Sequence, residues 1–439
     1  MTIPELRQCA QQIWEAALTA ARPEACIPKV IQLSDDGFVV DGKEIQTPGR
    51  LVVIGAGKAS AGMAGVIEGL FGKRISAGLV ITKYGHRIET EHIQIFEAGH
   101  PVPDQSGALA VEGMREILRD LRPGDVVLCL ISGGGSALLP APAPQIDLKE
   151  KQEVTTALLR AGATIRELNA VRKHLSSIKG GQLLRWTAPA RVVSLIMSDV
   201  IGDPLDFIAS GPTSPDTTTF ADALTIIQKY GIEVSGRVRE RFEAGTRGEI
   251  EETPKEGDPI FERVSNHVIA TNRMLVETAS AKARELGFET LFLSSEVEGE
   301  ARDVGRFFAS MAREIGSTGN PAEPPACVLA AGETTVTVRG LGMGGRNQEM
   351  ALAWAMKMKD WDRPTCFASI ATDGTDGSTI AAGGLVDPHT YRRAIEVNMD
   401  PARYLRSNDS YNFLKAVGDL VTTGPTQTNL MDLQILLAG

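Results

Sequence analysis

Short apolar runs rich in β-branched residues alternate along the chain with longer amphipathic segments. The apolar runs have strand length and the amphipathic segments have helix length, so the pattern predicts alternating strands and helices. The predicted strands cover residues 51–54, 79–82, 125–131, 191–197, 266–270, 289–293, 327–331 and 366–371. Strands that are apolar throughout are typical of sheets buried between helices. The pattern therefore predicts the α/β fold class.

A polar, charged and proline-containing stretch at 245–262 interrupts this alternation. Because domain boundaries fall in such segments, we interpret it as a linker between an N-terminal α/β domain of residues 1–245 and a C-terminal α/β domain of residues 263–439. In the second domain, the alternating residues 334–339 predict a strand with an antiparallel partner. That domain is therefore expected to contain a mixed sheet.

Composition excludes several classes of protein. The net charge is −10, whereas a nucleic-acid-binding protein needs a basic face. No apolar run approaches membrane-spanning length, and the amphipathic helix predicted at 4–21 is not a signal peptide. The five cysteines have no metal-type spacing and are predicted to be free thiols in a reducing, cytoplasmic location. Because the chain is acidic, any local cluster of Lys and Arg is informative.

A glycine-rich turn follows the predicted strand 125–131. Its residues are Ser132, Gly133, Gly134, Gly135 and Ser136, and a helical pattern begins soon afterwards. A strand, a glycine turn and a helix allow backbone N–H groups to converge on an anion, and the two hydroxyls add donors. The turn therefore predicts a phosphate site, and the alternative is an ordinary tight turn of an α/β domain.

An earlier glycine turn places a lysine after the first predicted strand. It begins as a dinucleotide fingerprint at 55–57, but Ser60 occupies the third glycine position. Lys83 stands at the end of the next strand, where a nicotinamide-binding fold needs an acidic residue. The turn also lacks the first glycine and the hydroxyl of a Walker loop. What remains is Lys58, a candidate ligand of an anionic group, or else a solvated lysine at a helix start.

A basic patch follows the glycine-rich turn. The predicted helix beginning near 165 carries Asn169, Arg172, Lys173 and His174, and Lys179 comes shortly afterwards. These side chains are candidates for binding an anionic substrate. A solvated helix face is the alternative interpretation, and it is the more frequent one for a run of charges.

Aspartates follow two predicted strands at their carboxyl ends. Asp199, Asp203 and Asp206 follow strand 191–197, while Asp373 and Asp376 follow strand 366–371. Carboxylates in such positions are where an α/β site holds Mg²⁺, and Asp199 is the preferred residue of its group. Turn chemistry is the alternative, because turns use Asp, Gly, Ser and Pro.

A second glycine turn opens a helix in the C-terminal domain. Arg346 and Asn347 follow Gly344 and Gly345. An arginine fork suits a carboxylate or a phosphate, and an unpaired arginine at a helix N-terminus is unfavourable without an anionic partner. Near the end of the chain, Asn429 and Asp432 are polar among apolar residues, which indicates either the edge of an active site or capping.

Together these features are the components of phosphoryl transfer: glycine turns, a lysine, an arginine and carboxylates at strand ends. The chain has no nucleophile elbow around Ser132 or Ser136. Two alternatives stay open, namely a nicotinamide-dependent reductase and a non-catalytic sensor of hydroxy acids or nucleotides.

Eight segments spread over nearly the whole chain resemble the bacterial and animal glycerate 2-kinase family, whose C-terminal half is called the MOFRL domain. They are VVIGAGKASAGMA, AGHPVPD, LISGGGSALL, LNAVRKHLSSIKGG, SDVIGDPLDFIASGPTSPD, GETTVTVRGLGMGGRNQEMAL, ATDGTDGSTIAAGG and GPTQTNLMDL. Relatives of this kind are often labelled hydroxypyruvate reductases, for which the incomplete fingerprint at 55–57 is a sufficient reason.

The resemblance implies a Rossmann-like N-terminal domain with a parallel sheet and a smaller mixed-sheet C-terminal domain, with the active site in the cleft between them. It implies transfer of the ATP γ-phosphate to the 2-hydroxyl of D-glycerate with Mg²⁺. The expected partners are these small molecules, with neither nucleic acid nor membrane, and the expected state is a monomer or homodimer. A tail of about residues 420–439 that packs on the first domain is an alternative to the boundary above.

The motifs that match the family assign roles to one lysine and one arginine, and the positions of the other candidate residues predict their roles. Lys58 and Arg346 are expected to be catalytic. The substrate- or phosphate-binding residues are expected to be Ser132, Gly133, Gly134, Gly135, Ser136, Asn169, Lys173 and Asn347. The nucleotide-binding residues are expected to be Glu333, Thr334, Gly344, Gly345, Asp373 and Gly374. Mg²⁺ is assigned to Asp199, Asp203 and Asp376.

Overall fold

The computed structural model describes all 439 residues, which divide into two compact units. The first, here called the parallel-sheet unit, comprises Cys26–Ile269. The second, the mixed-sheet unit, comprises Met1–Ala25 together with Ala270–Gly439. None of the helices is both long and apolar enough to cross a membrane.

The first 270 residues form nine strands and ten α-helices. The strands are β1 Ile31–Ser34, β2 Gly37–Val40, β3 Lys43–Gln46, β4 Leu51–Ala56, β5 Ile75–Lys83, β6 Gln94–Ala98, β7 Val126–Ser132, β8 Arg191–Met197 and β9 Val264–Ala270. The helices are α1 Ile3–Ala21, α2 Pro23–Val30, α3 Ser60–Phe71, α4 Gln105–Ile117, α5 Gly135–Leu138, α6 Leu148–Arg160, α7 Ile165–His174, α8 Leu183–Thr187, α9 Phe220–Lys229 and α10 Gly236–Thr246. Three 3₁₀ turns lie at Gly72–Arg74, Ile208–Ser210 and Pro259–Arg263.

Six of these strands form one sheet in the order β6-β5-β4-β7-β8-β9. The pairs of β4 with β5, β4 with β7, β5 with β6 and β7 with β8 are all parallel. The strand order reverses between β4 and β7, as in a doubly wound Rossmann sheet. Ligands of such sheets bind at the carboxyl ends of the strands that flank this switch point. The Rossmann-like architecture expected from the sequence is therefore confirmed.

Separate apolar clusters hold the parallel-sheet unit together. One lies on the sheet and includes residues of β4, β7 and α4. Another fills the space among α6, α7, α9 and α10 around Leu158, Phe220 and Phe242, all of them buried. The helical layer thus fixes α6 and α7 beside the loops that follow the strands.

The remaining residues form six strands and six helices. The strands are β10 Glu289–Val297, β11 Ala326–Gly332, β12 Thr365–Ala371, β13 Gly383–Val386, β14 Leu420–Val421 and β15 Asp432–Ala438. The helices are α11 Asn272–Glu285, α12 Ala301–Thr318, α13 Arg346–Lys357, α14 Thr390–Glu396, α15 Pro401–Arg406 and α16 Ser410–Val417.

The sheet of the second unit has the order β10-β11-β15-β12-β13-β14. β10 and β11 are parallel, whereas β15 is antiparallel to both of its neighbours, β11 and β12. The sheet is therefore mixed, as expected. Trp354 stacks on Phe367 at 5.8 Å between ring centroids in its core, and Phe308 packs on the same ring.

The structure departs from the sequence predictions around the domain boundary. Residues 245–262, interpreted as a linker, pack on the parallel-sheet unit, where Thr253 Oγ1 donates to Asp216 Oδ2 at 3.0 Å. The strand expected at 266–270 to open the second domain is β9, which lies in the first sheet. A polar, proline-containing stretch is thus compatible with a packed loop, because its hydrogen bonds are made to the unit itself.

Both chain ends also differ from the expectation. Helix α1 belongs to the mixed-sheet unit and packs against α11, although the sequence placed it in the first domain. The end of the tail, 432–438, forms β15 in the middle of the mixed sheet. Residues 334–339 form no strand, so the antiparallel partner of β11 is β15. Such pairings join residues about a hundred positions apart, and local periodicity does not identify them.

Candidate functional site

The two glycine turns at the switch point of the parallel sheet are bonded to each other. The backbone N–H of Lys58, after β4, donates to the carbonyl of Gly133, after β7, at 2.9 Å. The N–H of Ala59 donates to Ser132 Oγ at 3.0 Å, and Ser60 Oγ lies 3.1 Å from the same hydroxyl. The structure thus brings Lys58 beside the glycine-rich turn.

Two positions in these turns require glycine, because neighbouring atoms leave no room for a Cβ. Gly57 has φ +148°, and a Cβ there would lie 2.0 Å from Ser132 Oγ. Gly134 has φ +80°, and a Cβ there would lie 3.0 Å from the His100 ring and 3.3 Å from Lys58 Cγ. Only glycine accepts such a position without strain. The stem of Lys58 therefore runs along the turn at Gly134.

The two serines of this turn have different surroundings. Ser132 is fully buried, and its hydroxyl joins the two turns from inside the protein. Ser136 is half-buried, lies 2.8 Å from the hydroxyl of Ser210, and receives a hydrogen bond from Lys179. Ser132 is therefore used by the fold, whereas Ser136 lies where the turn meets neighbouring polar groups.

The predicted binding residues of α7 lie in the same region and already have partners. Asn169 Oδ1 accepts a hydrogen bond from Ser210 at 3.1 Å. The ammonium of Lys173 is buried and pairs with Asp216 at 3.1 Å and Asp206 at 3.4 Å. Lys173 is thus charge-compensated within the unit, and Asp206 is occupied by it.

A cavity of about 280 Å³ adjoins the glycine-rich turn and contains three cationic side chains. Gly134 and Ser136 form part of its wall, and Lys151, Arg172 and Lys179 line it. Lys179 donates to the carbonyl of Ser136 at 2.6 Å, and the Nζ of Lys151 is buried without a hydrogen-bond partner. None of the three forms an ion pair, which distinguishes them from Lys173. The cavity therefore offers positive charge to an anion.

Lys151 was missed in the sequence analysis, although a signal was present. It lies on the buried side of α6, with Val154 and Leu158 three and seven residues further on. A lysine on the apolar stripe of an amphipathic helix is unusual, because burial of an unpaired ammonium is costly. Burial, together with the charges of Arg172 and of Arg241 on α10, lowers the pKa of Lys151 to about 7.

The aspartates expected to hold Mg²⁺ lie beyond β8. Asp199 and Asp203 are both half-buried, and Asp203 has φ +55° in a turn closed by a hydrogen bond to Val200. Nowhere in the chain do three or more His, Cys, Asp or Glu side chains form a group suited to a metal ion. Mg²⁺ commonly binds to one or two carboxylates together with substrate phosphates and water. Two half-buried carboxylates on one loop are compatible with binding of this kind.

In the mixed-sheet unit, Arg346 begins α13 and is fully paired. Its Nε and Nη2 contact the two carboxylate oxygens of Asp432 at 2.5 and 2.8 Å, and its Nη1 lies 2.9 Å from Glu333. The sequence argument that an unpaired arginine at this helix start needs an external anion is therefore corrected, because Asp432 of β15 supplies the charge. Glu333 is half-exposed, so this contact is the one open to exchange.

Asp376, a predicted metal ligand, caps the same helix. Its two carboxylate oxygens accept from the backbone N–H groups of Asn347 at 3.2 Å and Gln348 at 2.9 Å. Burial, together with the nearby charge of Asp432, raises the pKa of Asp376 to about 6. Asn347 is itself buried and accepts a hydrogen bond from Ser369 at 2.5 Å. The capping role gives a structural reason for an acidic residue at this position.

The predicted nucleotide-binding residues lie in loops of the mixed-sheet unit, and Glu333, Gly344 and Gly345 lie at this helix start. Thr334 follows β11 directly after Glu333, and its buried hydroxyl has no hydrogen-bond partner. Asp373 accepts from the N–H of Thr375 at 2.9 Å in a turn, while Gly374 has φ +85°. A Cβ at Gly345 would lie 2.3 Å from the Asp376 side chain, and a Cβ at Gly344 would lie 2.2 Å from Ser410 Oγ. The absence of side chains at Gly344 and Gly345 allows Ser410 and Asp376 to approach the backbone just before α13.

Family models match both halves of the chain. A domain of unknown function, DUF4147, matches residues 9–243, and the MOFRL family matches residues 326–432. Curated relatives match over nearly the full length. A glycerate 2-kinase of Pyrococcus horikoshii is 42% identical over 440 residues, covering 100% of this chain and 98% of its own. A D-glycerate 2-kinase of Thermotoga maritima is 43% identical over 387 residues, covering 88% and 90%.

A further relative, from Agrobacterium vitis, carries the provisional name of hydroxypyruvate reductase and is 42% identical over 435 residues, 99% of this chain and 94% of its own. Among solved structures, a glycerate kinase of Thermotoga maritima has a TM-score of 0.86 and 40% identity, covering 99% of this chain and 100% of that chain. A protein of Pyrococcus horikoshii has a TM-score of 0.81 and 42% identity, covering 100% and 99%. The chain belongs to the glycerate 2-kinase family.

Proposed function

We propose that this protein is a glycerate 2-kinase, which transfers the γ-phosphate of ATP to the 2-hydroxyl of D-glycerate and gives 2-phospho-D-glycerate and ADP. The observation that carries the proposal is the position of Lys58, beside a second glycine turn at the switch point of a Rossmann-like sheet. The names of the full-length relatives support the same reaction.

Phosphoryl transfer depends on alignment and on neutralisation of charge. Lys58 is the residue we assign to the migrating phosphoryl group, with the glycine-rich turn binding phosphate oxygens or the substrate. We assign Arg346 to the phosphoryl group or the carboxylate of glycerate. A phosphate can take the place of Glu333 on its Nη1, because that carboxylate is half-exposed, whereas Asp432 is buried.

ATP is the proposed donor, and Mg²⁺ is proposed to enter with it as the charge-neutralising partner of its phosphates. Asp199 and Asp203 are the carboxylates that would hold the ion beyond β8. Asp376 is less suited to this role, since both of its oxygens already accept from backbone N–H groups. We also propose a cytoplasmic location, because all five cysteines are free thiols.

A coupled assay tests the reaction. The chain is incubated with ATP, Mg²⁺ and D-glycerate, and ADP release is followed while the product is identified as 2- or 3-phosphoglycerate. We expect ADP release that depends on D-glycerate, with 2-phosphoglycerate as the product. Formation of 3-phosphoglycerate, or ADP release that does not depend on the acid, would contradict the proposal.

The reductase alternative has one structural point in its favour, the Rossmann order of the first sheet. Against it, β5 ends in Lys83, where an acidic residue normally binds the ribose of NAD. Oxidation of NADH by hydroxypyruvate, followed by absorbance with the same preparation, separates the two functions. We expect no oxidation above that of a sample without the protein.

A further inference from the structure

The cavity beside the glycine-rich turn has an apolar wall and a cationic end. Pro101, Pro103, Leu148 and Leu159 contribute to the wall. The cationic end consists of Lys151, Arg172 and Lys179, here called the cation cluster. A concave site with an apolar wall and a few converging polar groups is the usual form of a small-molecule site.

The charges of the cation cluster are not compensated by the protein. The Nζ of Lys151 is buried and has no hydrogen-bond partner, and Lys179 donates only to Ser136. By contrast, Lys173, which lies one residue from Arg172 in the same helix, has two aspartates as partners. The fold can therefore pair a buried lysine in this region, and it leaves the cation cluster unpaired.

Burial without a counter-charge lowers the pKa values of the cation cluster. Burial, together with the charges of Lys151 and Arg172, holds the pKa of Lys179 well below its usual range. Burial also lowers the pKa of Arg172 to about 10. Burial of an unpaired ammonium is unfavourable even when its pKa falls, whereas an apolar side chain of similar size carries no such cost. Packing therefore gives no reason for a lysine at 151, while an anionic ligand does.

We propose that the cation cluster binds the carboxylate of the hydroxy-acid substrate, through charge-assisted hydrogen bonds from Lys151, Arg172 and Lys179. This inference rests on the proposed function, since it names the subsite that the acceptor would occupy. It leaves the phosphoryl group as the target of Arg346. The cavity of about 280 Å³ lies slightly below the range of roughly 300–1,000 Å³ for small-molecule sites, so it fits a three-carbon acid better than a nucleotide.

The position of the cavity fits this role. Gly134 forms part of the cavity wall. The side chain of Lys58 passes the same residue, because a Cβ built on Gly134 would lie 3.3 Å from Lys58 Cγ. An acid held by its carboxylate at the cation cluster would therefore have its hydroxyl groups within the same loop cluster as Lys58. The cluster would therefore select acids over neutral analogues, because an analogue without the carboxylate leaves the cations unpaired.

Calorimetric titration of the full chain tests the proposal, with D-glycerate as the ligand and a non-hydrolysable ATP analogue present. Lys151→Met is expected to weaken the Kd for D-glycerate by about tenfold or more, as for loss of a charge-assisted hydrogen bond. Arg172→Gln is expected to act in the same direction. Lys149→Met is the matched control, because Lys149 lies on the exposed face of the same helix. The Kd of this variant for D-glycerate should equal that of the wild type.

Proton uptake provides a second readout that a merely structural lysine would not change. Titrations at about pH 8, in two buffers of different ionisation enthalpy, should show protons taken up with D-glycerate, because Lys151 is largely neutral there before the anion binds. The Lys151→Met variant should take up fewer. Since this substitution removes a buried amine that has no hydrogen-bond partner, we expect the variant to fold.

The possible outcomes separate the two proposals. Unchanged Kd and KM for D-glycerate in both the Lys151 and Arg172 variants would overturn the subsite, even if the wild type is an active kinase. A selective loss of ATP affinity would also overturn it and would assign the cluster to a nucleotide phosphate. If the variants lose D-glycerate binding while the wild type transfers no phosphate, the subsite stands and the kinase assignment fails.

Discussion

The ammonium of Lys179 donates to the carbonyl oxygen of Ser136 at 2.6 Å and to its hydroxyl at 3.1 Å. This contact fixes one cation of the cavity to the glycine-rich turn after β7. The same turn accepts the N–H of Lys58 through Gly133. One short loop therefore bonds to both Lys58 and Lys179, which lie 121 positions apart in the sequence (179 − 58).

Lys58→Ala should lower kcat for glycerate phosphorylation by about 10²-fold or more, because removal of one preorganised electrostatic group has an effect of this size. Steady-state kinetics of the coupled assay measures it. Lys73→Ala is the control, since Lys73 is exposed in the turn Gly72–Arg74 after α3. Near-normal turnover of the Lys58 variant would remove this residue from the mechanism.

Asp432→Asn should destabilise the mixed-sheet unit on the order of 3 kcal/mol. The reason is that the substitution leaves the half-buried guanidinium of Arg346 facing a buried neutral amide in place of a carboxylate. Denaturant unfolding followed by circular dichroism measures the change. Asp303→Asn removes an exposed partner of Arg306 and should have little effect. Equal stability of the two variants would show that Arg346 does not depend on Asp432.

Asp376 predicts a specific dependence of stability on pH. Its pKa in the folded protein is about 6, above the value of 3.8 for an unperturbed aspartate, so the folded state holds the proton more tightly. The resulting stabilisation is fully present below about pH 3.8 and is lost as the pH rises through about 6. The free energy of unfolding of the wild type, relative to Asp376→Asn, should therefore fall between these two pH values.

Chemical denaturation at a series of pH values checks this dependence. The comparison with Asp376→Asn matters, because other carboxylates titrate in the same range and contribute to both proteins. A constant difference in unfolding free energy between wild type and variant across this range would show that Asp376 keeps an ordinary pKa.

Removal of residues 432–439 should prevent folding of the mixed-sheet unit. β15 lies between β11 and β12 and is antiparallel to both, so its loss leaves two buried strand edges without hydrogen-bond partners. Limited proteolysis should then cut within 270–431, and near-ultraviolet circular dichroism from Trp354 should decrease. Removal of Gly439 alone is the control, and a truncated chain as resistant as the full one would contradict this role of β15.

The predictions from sequence were most successful for features that depend on neighbouring residues. The buried strands β4, β7, β8 and β12, the glycine turns that follow β4 and β7, and the first turn of α13 all lie where the pattern placed them. The reason is that strand length, turn residues and helix starts are local properties of the chain. The two alternating halves likewise indicated the α/β class.

Contacts between distant segments could not be predicted in this way. The pairing of Arg346 with Asp432 joins residues in two different elements, and the sequence alone made Arg346 look unpaired. The polar character of 245–262 indicated a linker, although the segment has its hydrogen-bond partners within the parallel-sheet unit. In both cases the partner that decides the role of a residue lies far along the chain.

The sequence by itself determined the fold class, the position of Lys58 after a buried strand and the resemblance to the glycerate 2-kinase family. Only the tertiary structure decided that the last strand completes the mixed sheet, that helix α1 belongs to that unit, and that Lys151 lies unpaired beside Arg172 and Lys179. The physical reason is that periodicity shows which side of an element is buried, whereas the charge balance of a buried group depends on every element packed around it.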